Sequence, residues 1–343
     1  MLRRLSLAVV VLVVAVLALL ASARFWVQVS LDTPLAIAPE GRVLQVESGG
    51  SLSALTRQLA ADGVISSPYP VLVHARVAGI RQIMAGDYQL SPGDTFRQLL
   101  DKLVAGDVIR FRITFPEGRS LREWLAIIND HDRLQDKPEL DLATVAAEFR
   151  PPQGETLEGW FFPDTYTFSG RDDGLAILRQ AHAAMTAVLA EEWQRRGPDL
   201  PIDTPYEALI LASIIEKETG DPAERGVIAG VFARRLQLGM KLQTDPTVIY
   251  GLGESFDGNL TRTHLREENP FNTYFIRGLP PSPITNPGRD AIRAALHPED
   301  GTALYFVARG DGSHVFSATL EEHNRAVRQY QLRRAEDYRS SPR

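Results

Sequence analysis

Residues 205–238 read PYEALILASIIEKETGDPAERGVIAGVFARRLQL, a pattern that predicts two consecutive helices with a sharp break between them. Pro205 suits the first turn of a helix, where a missing N–H removes no intrahelical hydrogen bond. The first helix should run to about Thr219, because Gly220-Asp221-Pro222 cannot continue it. The second helix is expected from about Glu224 to Leu238. Its apolar positions, which we expect in the core, are Val227, Ile228, Val231 and Leu238.

Two acids, Glu216 and Glu218, occupy the end of the first helix. Two residues correspond to about 200° of rotation, so the two side chains should lie on opposite faces. Glu218 continues the apolar face formed by Leu211, Ile214 and Ile215. We therefore expect Glu218 to face the protein interior and Glu216 to face solvent or a surface ion pair.

The position of Glu218 in the last helical turn predicts a raised pKa for its carboxyl group. The negative end of the helix dipole and partial burial both disfavour the charged form. A general acid needs such a pKa, because it must keep a proton near neutral pH until a leaving group takes it. The alternative is a solvated surface charge, which is the usual state of a glutamate at a helix end.

Several kinds of chemistry are excluded by what the sequence lacks. The chain has 343 residues, a net charge of −6 and no cysteine, so thiolate catalysis and cysteine zinc sites are impossible. It contains no HExxH, GxSxG, P-loop or GxGxxG motif, so we expect no metal and no cofactor. The mildly acidic charge gives no indication of a nucleic-acid partner. Carboxylates beside polar and aromatic residues remain, and these suit sugar chemistry.

The N-terminus predicts a membrane anchor. Residues 5–23 are almost entirely Val, Leu and Ala, and Arg3 and Arg4 precede them. About 20 apolar residues in a helix cross the hydrocarbon layer, and the two arginines should stay in the cytoplasm, which places the rest of the chain outside. A cleaved signal peptide is the alternative, since Ala21-Ser22-Ala23 suits cleavage. The apolar run exceeds the usual signal length of about 7 to 15 residues and favours an uncleaved anchor.

The pattern of elements predicts an α+β chain. We expect an anchor at residues 1–27, a linker at 28–42, a small α+β module at 43–107 and a larger mixed α+β catalytic domain at 108–343. In the module, the predicted strands are Val43–Val46 and Tyr88–Leu90, and the predicted helices are Leu52–Ala61 and Thr95–Val104. The segment AGDYQLSPGDT at residues 85–95 resembles a LysM-like glycan-binding module; a small α+β packing domain is the alternative.

The larger domain should begin with a strand at Ile109–Phe115, which Pro116-Glu117-Gly118 ends. Helices are expected at Leu121–Asn129 and Gly174–Gln194. A hairpin of Ala303–Ala308 and His314–Ser317 should precede a charged C-terminal helix.

Residues 212–253, ASIIEKETGDPAERGVIAGVFARRLQLGMKLQTDPTVIYGLG, resemble the signature of the YceG-like endolytic murein lytic transglycosylase family. The resemblance extends to LEGWFFPDTY at residues 157–166, NPFNTYFIRGLPPSPITNPG at 269–288 and LYFVARGDGSHVFSATLEEHN at 304–324. It implies an enzyme of the bacterial inner membrane, with its catalytic domain on the periplasmic side. Such an enzyme cleaves the MurNAc-GlcNAc bond of peptidoglycan glycan strands, forms a 1,6-anhydroMurNAc end and terminates nascent strands.

The resemblance also assigns roles to particular residues. Glu218, the second glutamate of EKET, corresponds to the catalytic acid. The residues that would line the glycan cleft are Gln243, Thr244, Asp245, Asn272, Thr273 and Tyr274. Structural roles are the alternative, because Asp245-Pro246 suits a helix start and Asn272-Thr273 suits a turn. Glu158, Trp160 and Tyr166 are weaker candidates, since aromatic clusters more often form core.

Two other functions stay open. A lysozyme-like hydrolase would need a second acid, for which Asp245 is the candidate. A non-catalytic scaffold would bind peptidoglycan without cutting it. For either function, the resemblance implies penicillin-binding proteins as partners. Glu254-Ser255 resembles the Glu-Ser pair of other lytic transglycosylases, but it lies in a glycine-rich turn with no helix expected beneath it. We therefore do not assign it a catalytic role.

Overall fold

The structure is a computed structural model that describes residues 2–134, 138–151 and 155–331. It is a mixed α and β fold with three two-stranded sheets, β1-β2, β3-β4 and β5-β6, among the described residues. The strands are β1 Arg42–Val46, β2 Gly86–Leu90, β3 Arg110–Thr114, β4 Thr165–Ser169, β5 Tyr305–Ala308 and β6 His314–Ser317. The helices are α1 Leu2–Asp32, α2 Leu52–Ala61, α3 Tyr69–Val77, α4 Phe96–Ala105, α5 Leu121–Asn129, α6 Leu142–Phe149, α7 Gly174–Gln194, α8 Pro205–Glu218, α9 Pro222–Gln237, α10 Asp245–Leu252, α11 Arg289–Leu296 and α12 Leu320–Tyr330.

The chain forms two compact units, the first of residues 1–111 and 168–171 and the second of residues 112–167 and 172–343. In the first unit, β1 and β2 pair antiparallel, with Arg42 opposite Leu90 and Val46 opposite Gly86. Helices α2, α3 and α4 complete this unit. The predicted LysM-like identity of residues 43–107 stays a prediction.

Helix α1 contributes to the core of the first unit. Val27, Leu31 and Leu35 are buried there, and Arg97 donates to Gln28 Oε1 and Asp32 Oδ1, at 2.6 Å each. The predicted linker at residues 28–42 therefore begins inside a helix, because apolar residues continue at a spacing of four. Among the described helices, α1 has the length and apolar composition to cross a membrane.

Most predicted elements of the first unit are confirmed, and their caps explain why. Ser51 accepts a hydrogen bond from Ala54 N at the start of α2, whose bounds match the prediction. Thr95 forms a capping box with Gln98 at the start of α4. These side chains satisfy backbone N–H groups that have no intrahelical partner.

Helix α8 is the centre of the second unit. All eight residues from Ala208 to Ile215 are buried, and α7, α9, α10 and α11 pack around this helix. Such burial on every side is typical of a core helix. The predicted bounds of α5 and α7 and the hairpin of β5 and β6 are also confirmed.

Helices α3, α6 and α11 were not predicted, and of α10 only the start at Asp245-Pro246 was suggested. All four helices are short, at eight or nine residues. Leu238, predicted in the core, is exposed because α9 ends at Gln237. Ile228 and Val231 are buried as predicted.

The proline-rich loop at residues 280–287 is fixed to α8 by polar contacts. Ser213, on the buried helix, accepts a hydrogen bond from Ile284 N at 3.0 Å and donates to Ile210 O. Asn286 accepts from Phe161 N and donates to Arg119 O. These contacts hold the loop against the helix that ends at Glu218.

Candidate active site

Glu218 is the last residue of α8, as the sequence predicts. Thr244 Oγ1 donates a short hydrogen bond to its Oε1. Burial raises the pKa of the Glu218 carboxyl to about 7, and nearby Asp245 acts in the same direction, whereas the Thr244 bond and Arg235 oppose the shift. Glu218 is therefore a carboxyl group that is partly protonated at neutral pH.

Thr244 is positioned by a small group of buried threonines. Its backbone N donates to Thr273 Oγ1 at 3.0 Å, and its carbonyl accepts from Thr247 Oγ1 at 2.8 Å. The hydroxyls of Thr247 and Thr273 lie 2.9 Å apart. Because these hydroxyl groups are enclosed and bonded to one another, the Thr244 side chain has a fixed direction toward Glu218.

Asp245 and Tyr274 form the next part of the site. Tyr274 Oη donates to Asp245 Oδ1 at 2.6 Å, and Lys241 Nζ donates to Tyr274 O at 2.9 Å. Burial and the neighbouring Asp245 both raise the pKa of the Tyr274 hydroxyl, which therefore stays a hydrogen-bond donor. Asp245 is exposed and is the first residue of α10.

Gln243 has a backbone conformation that L-residues rarely adopt, with φ of 53°. Its N donates to Thr273 O at 3.2 Å, and its exposed side chain accepts from Arg235 Nη1 at 3.4 Å. Such backbone strain is retained where surrounding contacts determine the conformation, and it is common at functional sites.

Asn272 and Thr273 are buried and bonded to the protein itself. Asn272 donates to His264 O and Glu267 O and accepts from Tyr274 N at 3.0 Å. Neither side chain is exposed to a ligand in this structure, since Asn272 is 1% and Thr273 0% exposed. Their contacts orient Tyr274 and Thr244. Asp245-Pro246 lies at the start of α10 as predicted, although Thr244 rather than Asp245 is the N-cap.

Arg235 is a site residue that sequence reasoning missed. It is 7% exposed and donates to Leu304 O at 2.6 Å and Leu242 O at 2.8 Å. Its guanidinium lies 5.0 Å from the Tyr305 ring, and burial lowers its pKa. A buried arginine bonded to backbone carbonyls fixes the segment leading to Thr244 and adds positive charge near Glu218. The sequence signal for Arg235 was its position four residues after Val231, on the face of α9 that was predicted to be buried.

The prediction that Glu216 faces solvent or a surface ion pair is wrong about the surface, because Glu216 does pair with Arg225 but the pair is largely buried. Its side chain is 6% exposed, accepts a hydrogen bond from Gly288 N at 2.9 Å and lies 3.4 Å from Arg225 Nη2. Burial raises the pKa of its carboxyl, and the Gly288 bond opposes this shift. The rotation argument failed because α8 is enclosed on all sides, so both of its faces contact protein.

A groove of about 1160 Å³ lies in the second unit beside this site. Lys217 and Pro246, each next in sequence to a site residue, line one part of it, although Glu218 itself does not. Arg122 and the exposed Glu254, which form a salt bridge of 2.6 Å, line another part. Glu254-Ser255 belongs to a 3₁₀ turn that directly follows α10, so a helix does adjoin this pair.

Glu158 is a second buried carboxyl group and lines the same groove. It accepts from Leu121 N at 2.8 Å, at the start of α5, and from Tyr250 Oη at 3.3 Å. Burial raises its pKa to about 7, and both hydrogen bonds oppose the shift. Trp160 stacks on Tyr206, and Tyr166 is buried and donates to Phe162 O, so these two aromatics pack within the unit.

The arrangement can transfer a proton but has no evident metal centre. Within residues 2–134, 138–151 and 155–331, no group of three or more His, Asp or Glu side chains could hold a metal ion. A carboxyl group with a pKa near 7, oriented by a hydroxyl and adjacent to a groove, can donate a proton to a leaving oxygen and then accept one.

Comparisons with known proteins agree on one family. The model of the YceG-like family matches residues 44–329. A relative from Bacillus subtilis (strain 168), named endolytic murein transglycosylase, is 34% identical over 304 residues, which is 84% of each chain. One from Streptococcus pneumoniae serotype 2, with the same name, is 24% identical over 89% of this chain, which spans 62% of that relative. The crystal structure of a YceG-like protein from Listeria monocytogenes has a TM-score of 0.52 at 32% identity, covering 84% of this chain and 99% of the other.

Proposed function

The chain belongs to the YceG-like family, and from this premise we propose that it is an endolytic peptidoglycan transglycosylase with Glu218 as its catalytic acid. The observation that carries the proposal is the partly buried Glu218 carboxyl at the end of α8, which accepts a hydrogen bond from Thr244 and whose pKa is raised to about 7. The relatives named endolytic murein transglycosylase support the substrate class.

Glu218 acts in both halves of the proposed reaction. The protonated carboxyl donates its proton to the oxygen between MurNAc C1 and GlcNAc as the C1–O bond breaks. The resulting carboxylate accepts the proton of the MurNAc C6 hydroxyl, whose oxygen bonds to C1. The products are a 1,6-anhydroMurNAc end and a free GlcNAc hydroxyl, so no water is consumed and Glu218 ends protonated. A second catalytic carboxylate is not needed.

The neighbouring residues have distinct roles in this proposal. Thr244 orients the Glu218 carboxyl, and its hydrogen bond limits the rise of the Glu218 pKa. Asp245 and Tyr274, joined by a 2.6 Å hydrogen bond, present polar groups to the glycan from the start of α10. Exposed Gln243 also contacts the sugar, whereas buried Asn272 and Thr273 act by positioning Tyr274 and Thr244.

The remaining features fit a wall-bound enzyme. We propose that α1 anchors the chain in the inner membrane, with the catalytic unit in the periplasm, because Arg3 and Arg4 precede the apolar run. The LysM-like module would bind glycan, and cleavage near peptidoglycan synthases such as penicillin-binding proteins would terminate nascent strands.

The first prediction is that Glu218→Gln abolishes glycan cleavage while the fold is retained. Amide and carboxyl have nearly the same shape, but the amide cannot donate and then accept the proton, so we expect activity to fall by at least about 10²-fold. The measurement is mass spectrometry of the ends released from purified peptidoglycan, with circular dichroism to check folding.

Glu254→Gln is the matched control. Glu254 belongs to the alternative Glu-Ser pair and its side chain is 84% exposed, so its loss should change the rate little. A Glu218→Gln protein that still cuts glycan at the wild-type rate would end the proposal, and a Glu254→Gln protein that is inactive would move the catalytic role to that residue.

A lysozyme-like hydrolase is the second candidate, because Asp245 is an exposed acid close enough to raise the pKa of Glu218. Hydrolases of this kind place the two carboxyl groups about 5 to 9.5 Å apart. The same product analysis separates the two reactions: reducing MurNAc ends indicate hydrolysis, and anhydro ends indicate lytic transfer.

A further inference from the structure

Helix α3 has an exposed apolar face that its own unit leaves uncovered. Tyr69, Val73 and Val77 are spaced by four residues and therefore lie along one side of the helix. They are 68%, 49% and 84% exposed, while the opposite side, with Val71 and Ala75, is buried in the core of the first unit. Contiguous exposed apolar residues on one face mark an interaction surface.

The charge around this face is positive. Residues 63–86 contain no Asp or Glu but include His74, Arg76 and Arg81, in a chain whose net charge is −6. Arg76 and Arg81 are exposed, and within the described residues neither forms a salt bridge. A groove of about 700 Å³ beside the face is lined by both arginines together with Tyr69 and Val73.

If α1 crosses a bilayer, the packing of α3 against α1 determines the distance of α3 from the membrane surface. The apolar run ends at Ala23, and exposed Phe25 and Trp26 follow. Aromatic side chains of this kind are enriched at the membrane–water boundary. The buried residues of α1 are Val27 and Leu31, and α1 packs against α3.

The helical rise converts these positions into distances. Val27 lies about 6 Å and Leu31 about 12 Å beyond Ala23, at about 1.5 Å per residue. The headgroup layer on each side of a bilayer is roughly 5 to 8 Å thick. Helix α3 therefore packs against the part of α1 that emerges through the headgroups.

From these observations we propose that the exposed face of α3, formed by Tyr69, Val73 and Val77, lies on the surface of the bilayer that α1 spans. The apolar side chains enter the headgroup layer, and Arg76 and Arg81 bind the phosphate groups of anionic lipids. Basic amphipathic helices bind membranes in this way. The first unit is thereby held against the membrane by two elements instead of one.

Single labels test the proposal in the full-length chain, which contains no cysteine. Val73→Cys and Val77→Cys are each labelled with nitrobenzoxadiazole and reconstituted in vesicles of phosphatidylcholine with phosphatidylglycerol. Val104→Cys, at a 45% exposed valine of α4 in the same unit, is the matched control, and Leu12→Cys reports on the anchor. Spin-labelled lipid quenches labels in the membrane, and iodide quenches labels in water.

We expect lipid quenching at residues 73, 77 and 12, and iodide quenching at residue 104. Replacing Arg76 or Arg81 by Gln should weaken the binding of the α3 face to anionic vesicles. For each charge removed, we expect the ratio of labels in the membrane to labels in water to fall about fivefold. The same replacements should have little effect in pure phosphatidylcholine.

Three results would overturn the proposal. Iodide quenching at residues 73 and 77 would place the face in water. Protection from both quenchers would mean that protein covers it. A Leu12 label that lipid does not quench would show that α1 does not span the bilayer, and the proposal would then fail at its premise.

Discussion

At the scale of single residues, burial controls the protonation of two carboxyl groups in the second unit. Glu218 and Glu158 both have a pKa raised to about 7, chiefly because burial disfavours their charged forms. They differ in their partners: Glu218 accepts from the Thr244 hydroxyl, whereas Glu158 accepts from the backbone of α5 and from Tyr250. The α5 contact gives Glu158 a structural role, which leaves Glu218 as the better candidate for the proton donor of the proposed reaction.

The second prediction concerns the pH dependence of cleavage. Because the proposed reaction requires a protonated Glu218, we expect the turnover rate to fall about tenfold for each pH unit above its pKa of about 7. The measurement is the rate of release of glycan ends between about pH 5 and about pH 9.

Glu158→Gln is the control for this profile, since Glu158 has a similar pKa and lines the same groove. The variant should keep the alkaline decline at the same pH even if its rate is lower. A decline that disappears in Glu158→Gln would assign the titration to Glu158 instead of Glu218.

The third prediction concerns stability. The pKa of Glu218 is 4.5 in the unfolded chain and about 7 in the folded protein. The contribution of Glu218 to the free energy of unfolding is therefore fully present below about pH 4.5 and is lost as the pH rises through 7. Gln has no charge to bury. Relative to wild type, Glu218→Gln should therefore become more stable with rising pH, by up to about 3 kcal/mol above pH 7.

Urea unfolding of both proteins at acidic and alkaline pH measures this difference. The contribution of Glu158 is present in both proteins and cancels. A Glu218→Gln protein whose stability relative to wild type does not change with pH would mean that the Glu218 carboxyl is solvated.

At the scale of elements, the site depends on how loops are held against α8. Gly159 illustrates this, because it has φ of +83° and a Cβ there would lie 2.7 Å from Pro283 Cβ in the proline-rich loop. The residue before it, Glu158, lines the groove. The close approach of the two segments therefore requires a residue without a side chain.

The fourth prediction is that Gly159→Ala destabilises the second unit and lowers activity. Gly278→Ala is the matched control, since Gly278 has φ of +79° in the same unit but no atom within 4 Å of the added Cβ. Both variants should lose about 1 to 2 kcal/mol for the left-handed backbone. Gly159→Ala should lose a further 1 to 3 kcal/mol, roughly, from the steric conflict. Equal losses in urea unfolding would mean that the contact with Pro283 is not tight.

At the scale of the whole molecule, we expect two functions of α1: its N-terminal part has the length and apolar composition to cross a bilayer, and its C-terminal part belongs to a protein core. Val27 and Leu31 are buried in the first unit together with Leu35, which follows the helix. An anchor that ended at the membrane surface would not contribute to that core.

The fifth prediction separates these two functions by truncation. Removing residues 1–24 should leave the first unit folded, because the side chains that the structure describes before Val27 are all exposed. Removing residues 1–36 also takes away Val27, Leu31 and Leu35, each of which contributes roughly 1.5 to 3 kcal/mol through burial. Hydrogen exchange in β1 and β2 should rise sharply only in the longer truncation. Equal protection in both proteins would show that α1 is dispensable for the core.

Local sequence signals determined most of the secondary structure of this protein. The caps Ser51 and Thr95, the breaks at prolines and glycines, and the apolar periodicity gave most helices and the C-terminal hairpin, because these depend on neighbouring residues. The EKET motif gave the position of Glu218 at the end of α8, and the quoted motifs gave the family.

Only the tertiary structure decided which faces of those elements are buried. Helix α11, packed on α8, removes Glu216 from solvent, and the long-range approach of residues 235, 244 and 274 surrounds Glu218. The burial of the C-terminal end of α1 in the first unit was likewise decided by tertiary contacts. Burial and pKa depend on contacts between segments far apart in the chain, and helical periodicity cannot specify such contacts when a helix is enclosed on every side.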